Sequence, residues 1–149
     1  MMGYTATPEE EDIAKAIGKE IPISPKKSVE VCTALRGMNV EDAKELLEEV
    51  IEKRRIIPYR RYRKTISHKK GGVAGGYPVR VAKAILKLLE DAQSNAEVNE
   101  LDPETMRIEV IAAHLGRRTE GFKARARGRS TSWNKETVNI EVILRSEED

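Results

Sequence analysis

Met106-Arg107-Ile108-Glu109-Val110-Ile111-Ala112 puts Met106, Ile108, Val110 and Ala112 on one side of an extended chain, with Arg107, Glu109 and Ile111 on the other. Val138-Asn139-Ile140-Glu141-Val142-Ile143-Leu144-Arg145 repeats the pattern, with Val138, Ile140, Val142 and Leu144 on one side. Side chains of a strand alternate between faces, so this period of two predicts two strands, paired antiparallel. Between them lie 24 residues, Ala113 to Glu136, where an ordinary hairpin needs about two to five. The connection is therefore a feature of the fold rather than a turn. Its large apolar groups are Leu115, Phe122 and Trp133, set among seven bases. Such a stretch cannot close a core of its own, and it reads as an extended arm that projects from the body and is ordered by a polyanion.

Upstream, the period changes from two to that of a helix. Ser24-Pro25 opens a segment from Lys26 to Arg36 that stops at Gly37; Ser caps, Pro suits the first turn and Gly suits the exit. After Asn39, a second cap, Val40, Ala43, Leu46, Leu47, Val50 and Ile51 fall on one helical face, with Glu41, Glu45, Glu48 and Glu52 on others. Pro78 begins a third helix whose stripe is Val81, Ile85, Leu88, Leu89, Ala92 and Ala96, ending near Asn95 to Asn99. Between the second and third helices the periodicity vanishes. Pro58 breaks any helix, Tyr and Arg interleave, and Gly71-Gly72-Val73-Ala74-Gly75-Gly76 is flexible, so residues 54–77 read as a basic insert ordered on binding. The expected class is α+β: one domain over residues 1–149, a small body of about three helices against an antiparallel sheet, with a long hairpin arm spanning 106–145.

The formal charge of +2 over 149 residues hides a segregation. Residues 1–52 and 88–109 each carry a net −6, and residues 136–149 carry −4, whereas 53–87 carry twelve bases and no acid, and 110–135 carry seven bases and one acid. A segment of 35 residues with no acid repels itself unless an anion lies against it. Two basic blocks offer a polyanion two defined surfaces.

Other classes are excluded in turn. One cysteine, Cys32, allows no internal disulfide and no thiolate zinc site, and it fits a reducing compartment. No run of about 18 apolar residues exists, and Met1 to Asp12 has neither a basic start nor an apolar signal core, so neither a membrane span nor export is expected. His68 and His114 have no cysteine or carboxylate at ligand spacing, so no metal, cofactor or catalytic group is expected. The glycine-rich stretch lacks the Lys-Ser or Lys-Thr of a phosphate loop and the spacing of a dinucleotide site.

What remains is nucleic acid. Tyr59, Arg60, Arg61, Tyr62, Arg63 and Lys64, followed by His68, Lys69 and Lys70, mix guanidinium forks for phosphate with rings that stack on unpaired bases. Lys53, Arg54, Arg55, Arg80 and Lys83 extend that block. A membrane-surface helix would need an apolar stripe, which Pro58 and the glycines deny it. In Lys123-Ala124-Arg125-Ala126-Arg127-Gly128-Arg129 the bases share one face of an extended chain and the small residues permit close approach to a backbone. Arg117, Arg118 and Lys135 carry the charge to the arm's root. Trp133 either stacks on a base or anchors the arm.

The order of parts resembles the universal large-subunit ribosomal protein number twenty-two family, in its archaeal and eukaryotic form. The resemblance rests on Ile23-Ser24-Pro25-Lys26-Lys27, Arg36-Gly37 and Leu89-Glu90-Asp91-Ala92-Gln93-Ser94-Asn95-Ala96. It rests most of all on Arg125-Ala126-Arg127-Gly128-Arg129 followed, nine residues on, by Asn139-Ile140-Glu141-Val142-Ile143-Leu144. It spans residues 20–145. It implies a cytoplasmic location in the large ribosomal subunit, binding to large-subunit ribosomal RNA and a role in assembly, with no catalysis. It also implies a hairpin lining the nascent-peptide exit tunnel, where Arg125, Arg127 and Arg129 hold the arm on RNA and Thr119, Glu120, Gly121 and Phe122 face the passing polypeptide. Tunnel protein number four is the implied neighbour. Bacterial members carry bases near the arm tip where this chain has Thr119-Glu120-Gly121, so tunnel-facing charge does not transfer residue by residue. On the residues alone, two other readings stand: a free-standing RNA- or DNA-binding regulator, and a small enzyme that holds a phosphorylated ligand on Gly71 to Gly76.

Overall fold

A computed structural model describes residues 3–5, 12–70 and 72–146. Three helices cover one face of a three-stranded antiparallel sheet. The elements run β1 (Ile13–Ile21), α1 (Pro25–Leu35), α2 (Val40–Ile51), β2 (Ile57–Pro58), β3 (Gly75–Gly76), α3 (Val79–Val98), β4 (Met106–Thr119), β5 (Phe122–Ala124), β6 (Ser130–Ser132) and β7 (Lys135–Ser146). Strand order in the main sheet is β1-β7-β4. The α+β class and the three helices agree with the sequence reading.

The helix ends follow their caps. Ser24 accepts from the Lys27 N–H with Pro25 in the first turn, and Gly37 leaves α1 at φ +79, a conformation a side chain would strain. Asn39 caps α2 through the Glu41 N–H. Val138, Ile140, Val142 and Leu144 of β7 face the helices together with Met106, Ile108 and Ile111 of β4, and they meet Leu35, Leu47, Ile85 and Leu89 in one buried cluster.

The sequence reading found two strands of this sheet and missed the third. β1 pairs with β7 from Ile13↔Arg145 to Ile21↔Val138. Its core-facing positions are Ala14 and Ala16, then Gly18, whose added Cβ would come within 3.7 Å of Leu88. Small residues let α3 lie close on the strand, but they erase the apolar alternation that marks a strand in sequence. The same helix seals the strand's open edge: Asn95 Nδ2 donates to the Lys15 carbonyl at 2.8 Å, and Asn99 Nδ2 to that of Ile13 at 3.3 Å. At the opposite edge, the turn between α1 and α2 docks on β4. There the Gly37 N–H donates to the Ile108 carbonyl and the Ile108 N–H to that of Met38, beside a bulge between Ile108 and Val110.

Of the two irregular segments, the arm agrees with the long hairpin expected, and the insert does not agree with a segment ordered only on binding. The β4–β7 ladder continues past the apolar alternation to Thr119↔Lys135, and β5 pairs with β6 from Phe122↔Ser132 to Ala124↔Ser130. The arm is thus a paired hairpin almost throughout, because backbone pairing needs no buried side chains. Its far turn is Arg125 to Arg129, with Arg127 at φ 60 and Gly128 at φ 69, and Thr119 to Phe122 lie partway along it.

The basic insert, read as ordered only on binding, is tied to the body. Ile57 and Tyr59 are buried, Ile57 pairs with Gly76 and Pro58 with Gly75, and the Tyr59 N–H donates to the Ala74 carbonyl. A Cβ on Gly75 would lie 2.4 Å from the Ile57 carbonyl oxygen. Gly75→Ala must therefore separate β2 from β3. It should lower unfolding free energy by about 1–3 kcal/mol, a strain-type loss, measured by urea denaturation, with faster amide exchange at Tyr59.

Candidate nucleic-acid interface

Of the 22 residues read from sequence as RNA contacts, the bases of the insert from Lys53 to Lys64 are all exposed, as are His68, Lys70, Arg80 and Lys83; Lys69 is half-buried. Every base of the arm from Arg117 to Lys135 is exposed as well. Arg54 pairs with Glu52, and Arg55 with Glu49 at 3.4 Å. Exposed pairs of this kind hold too little energy to keep the guanidinium groups from a phosphate.

Tyr59 is the exception. Its ring is 6% exposed and belongs to the core, and burial, followed by the nearby Glu30 charge, pushes its hydroxyl above the usual range. It has no free face for a base. Tyr62 remains half-buried at the surface, with Lys26 Nζ 5.8 Å and the Arg61 guanidinium 5.5 Å from its ring centre. Trp133 is 55% exposed, with Lys123 Nζ 4.7 Å over its ring. That geometry leaves Trp133 on the arm's surface.

Folding brings the two basic blocks together around Lys27, a residue the sequence reading did not select. Lys27 shares one cleft with Arg61 and Lys64, another with Arg80 and Lys135, and a third with Lys53 and Lys69. Lys26 and Lys27 sit in the first turn of α1, and Arg80 in that of α3, with no acid in either turn. Bases there oppose the helix dipole, at a cost of about 0.3–1 kcal/mol each. A local choice that opposes stability is expected at a functional surface, and an anion bound there would relieve it. The signal was present as a Lys-Lys pair, but it lay inside an acidic block and vanished in the net charge.

The insert owes its direction to Glu30 of α1, also absent from the sequence reading. This carboxylate is 2% exposed. It accepts from the Arg60 N–H at 2.9 Å through Oε2, and from those of Arg61 and Tyr62 at 2.8 and 2.7 Å through Oε1. Burial acts to raise its pKa, but the three N–H donors outweigh that effect and, with Arg61, hold the carboxyl below the ordinary range. A buried negative charge thereby fixes the backbone from which Arg60, Arg61 and Arg63 project outward.

A second buried carboxylate serves the arm's root. Glu141 of β7 is fully buried on the sheet face away from the helices, where it accepts from the Thr5 N–H at 2.9 Å and from the Thr5 hydroxyl. His114 Nε2 lies 3.3 Å from it. Burial again acts upward, and the Thr5 and His114 contacts bring the net shift below the usual value. His114, which has no partner at ligand spacing in the sequence, is half-buried beside Glu141.

Residues 16–145 match the family described as ribosomal protein L22p/L17e. The chain is 46% identical over 142 residues to the large ribosomal subunit protein uL22 of Methanococcoides burtonii, covering 95% of this chain and 94% of the relative. It is 44% identical over 148 residues to that of Methanopyrus kandleri, covering 95% and 93%. The chain belongs to the ribosomal protein L22p/L17e family.

Two of the stretches that carried the family resemblance have definite work in the fold. Asn95 and Ala96 seat α3 on β1, and Arg36-Gly37 docks the helical turn on β4, where Arg36 Nη2 donates to the Ile111 carbonyl at 3.2 Å. Two glycines of the Gly71 to Gly76 stretch are committed to strand pairing. Gly75 and Gly76 pair with Ile57 and Pro58, and Gly75 is buried; Gly71 lies outside the described residues. Among the described residues no cluster of His, Cys, Asp or Glu could hold a metal, and no helix is long and apolar enough to cross a membrane. Cys32 is buried, and desolvation drives its thiol up to about 12, so at neutral pH it is not a nucleophile.

Both buried carboxylates have lowered values in the folded chain. Their stabilisation is complete above the ordinary value of 4.5 and is lost as pH falls through their folded values. Melting temperature and amide protection at Arg60 to Tyr62 should therefore hold from neutral pH to about pH 5 and fall below the ordinary carboxylate value. Glu30→Gln should cost about 1–3 kcal/mol at neutral pH, the scale of charge-assisted hydrogen bonds, and should weaken the acid dependence of those three amides.

Proposed function

We propose that this L22p/L17e family member is a structural constituent of the large ribosomal subunit that binds large-subunit ribosomal RNA and helps assemble the particle. The supporting observation is the convergence of bases from the insert, from two helix starts and from the arm around Lys27, next to a basic hairpin exposed from Phe122 to Lys135. The curated relatives are named as large ribosomal subunit proteins. In this reading residues 1–149 act as one ribosomal-protein domain in the cytoplasm, and no reaction is catalysed.

The insert, 54–77, and the hairpin, 106–145, grip RNA at two places. Phosphate contacts come from Lys53, Arg54, Arg55, Arg60, Arg61, Arg63, Lys64, His68, Lys69, Lys70, Arg80 and Lys83 on the body, and from Arg117, Arg118, Lys123, Arg125, Arg127, Arg129 and Lys135 on the arm. Among the aromatic residues proposed to contact RNA, Tyr62 and Trp133 have rings at the surface, while Tyr59 contributes only through the backbone it anchors. Phosphates are met by collective charge and not by any one residue, so the arm's bases act as a set.

The hairpin lines the nascent-polypeptide tunnel and meets neighbouring proteins there, tunnel protein number four among them. Thr119, Glu120, Gly121 and Phe122 are the residues proposed to face the polypeptide. Since the turn lies farther out, at Arg125 to Arg129, it is the flank of the arm, not its end, that does so.

Reversing Arg125, Arg127 and Arg129 to Glu together should sharply reduce incorporation of tagged protein into large subunits, whereas Glu120→Gln should leave incorporation unchanged. Sucrose-gradient profiles at moderate salt compare the two. Normal incorporation of the triple variant would remove the arm-anchoring role, and wild-type protein that stays off the large subunit would remove the ribosomal reading itself.

A further inference from the structure

We propose that the cleft between α1 and the insert is a pocket for a single unstacked nucleotide of the bound RNA, with Tyr62 as the stacking surface. The proposal deepens the RNA-binding reading and rests on it. The cleft has a volume of about 370 Å³, within the span of cavities that enclose small organic ligands. Its lining is mixed in a way that a phosphate site alone would not need. Tyr62 and Ile66 supply apolar surface, and Lys26, Lys27, Arg61 and Lys64 supply positive charge. A nucleotide has both a flat apolar face and an anion joined a few ångströms apart.

The geometry selects against duplex RNA. Bases in a helix are stacked on one another and present only edges and backbone, so a concave site with an aromatic wall can be filled only by a base turned out of its stack. Tyr62 is half-buried with Lys26 and Arg61 over its ring, and a stacking base would take the place of one of these long, flexible cations. Those cations also stand where the phosphates on either side of an extruded base would pass.

The pocket is held open without the ligand. Glu30 forms part of its lining and fixes the backbone amides of Arg60, Arg61 and Tyr62, while Tyr59, also in the lining, is locked into the core. Both halves of the site are therefore set before RNA arrives, one on a helix and one on a pinned strand end, and little ordering has to accompany binding.

The test uses full-length protein in a Phe122→Ala/Trp133→Ala background, so that the arm's exposed rings contribute nothing. Binding of a labelled single-stranded RNA octamer and of a duplex of the same length is followed by fluorescence anisotropy at one salt concentration. Tyr62→Ala should weaken single-strand binding about tenfold, the size of one lost base–aromatic stack, and change duplex binding by less than about twofold, since it removes no charge. Tyr62→Phe should bind like the parent. The Lys26→Glu/Lys27→Glu pair should weaken both ligands.

Loss of single-strand and duplex binding to the same degree in Tyr62→Ala, or loss of neither, would overturn the pocket. Sedimentation of the wild-type chain with large subunits is scored separately. If the chain sediments free while Tyr62 still discriminates single strands, the ribosomal assignment fails and the nucleotide site stands. If it sediments with the subunit but Tyr62→Ala discriminates nothing, the reverse holds.

Discussion

One strand carries the mechanical continuity of this molecule. β7 is hydrogen-bonded on both sides along the body, to β1 and to β4, and then continues past the sheet with β4 alone as the stem of the arm. The same covalent strand is therefore buried core from Val138 to Leu144 and exposed at Lys135, where it enters from the arm. A stem that shares its ladder with a packed sheet cannot pivot without breaking core hydrogen bonds, so the arm's direction is set by the body's packing. That arrangement holds a segment without a core of its own at a defined angle to the body, so that the RNA contact proposed for it would need little further ordering of the chain.

Around this frame the charges are divided by depth. The two buried carboxylates among the described residues, Glu30 and Glu141, face inward and hold other parts of the chain: the insert in one case, and Thr5 with His114 in the other. A buried carboxylate is tolerated only when its lone pairs are filled, which is why each accepts several bonds. The bases lie outside and are turned toward one another near Lys27, an arrangement unfavourable in water alone. In the proposed complex with RNA, the same arrangement would release counterions and supply affinity. Membership of the L22p/L17e family and the position of the basic clefts thus describe one design, in which inward acids shape a surface of outward bases.

Much of the body could be read from local signals. Ser24, Asn39 and Gly37 mark helix ends by chemistry that acts within a turn, and the stripes of α2 and α3 record burial, whereas the alternation of β4 marks a strand but misses the bulge after Ile108 that turns Ile111 into the core. β1 escaped because Ala14, Ala16 and Gly18 are small where a strand normally shows large apolar groups; tight packing by α3 demanded it. Tyr59 and Tyr62 look equivalent three residues apart, yet one is core and the other surface, a difference no local rule expresses. The arm's bases were legible as a set, whereas Lys26 and Lys27 were hidden in an acidic block whose nearest acid, Glu30, is taken up by the Arg60 to Tyr62 amides once the chain is folded.

By itself, then, the sequence determined the three helices and their boundaries, the two strands flanking a long connection, and the segregation of charge, since each follows from forces acting between residues a few positions apart. Only the tertiary structure decided that Glu30 would meet Arg60 to Tyr62, that Thr5 would meet Glu141, and that insert, helix starts and arm would share one basic surface. Those contacts join residues some 30 to 136 positions apart. Their energy appears only after the core has closed and fixed the geometry, so no stretch of chain carries a mark of them in advance.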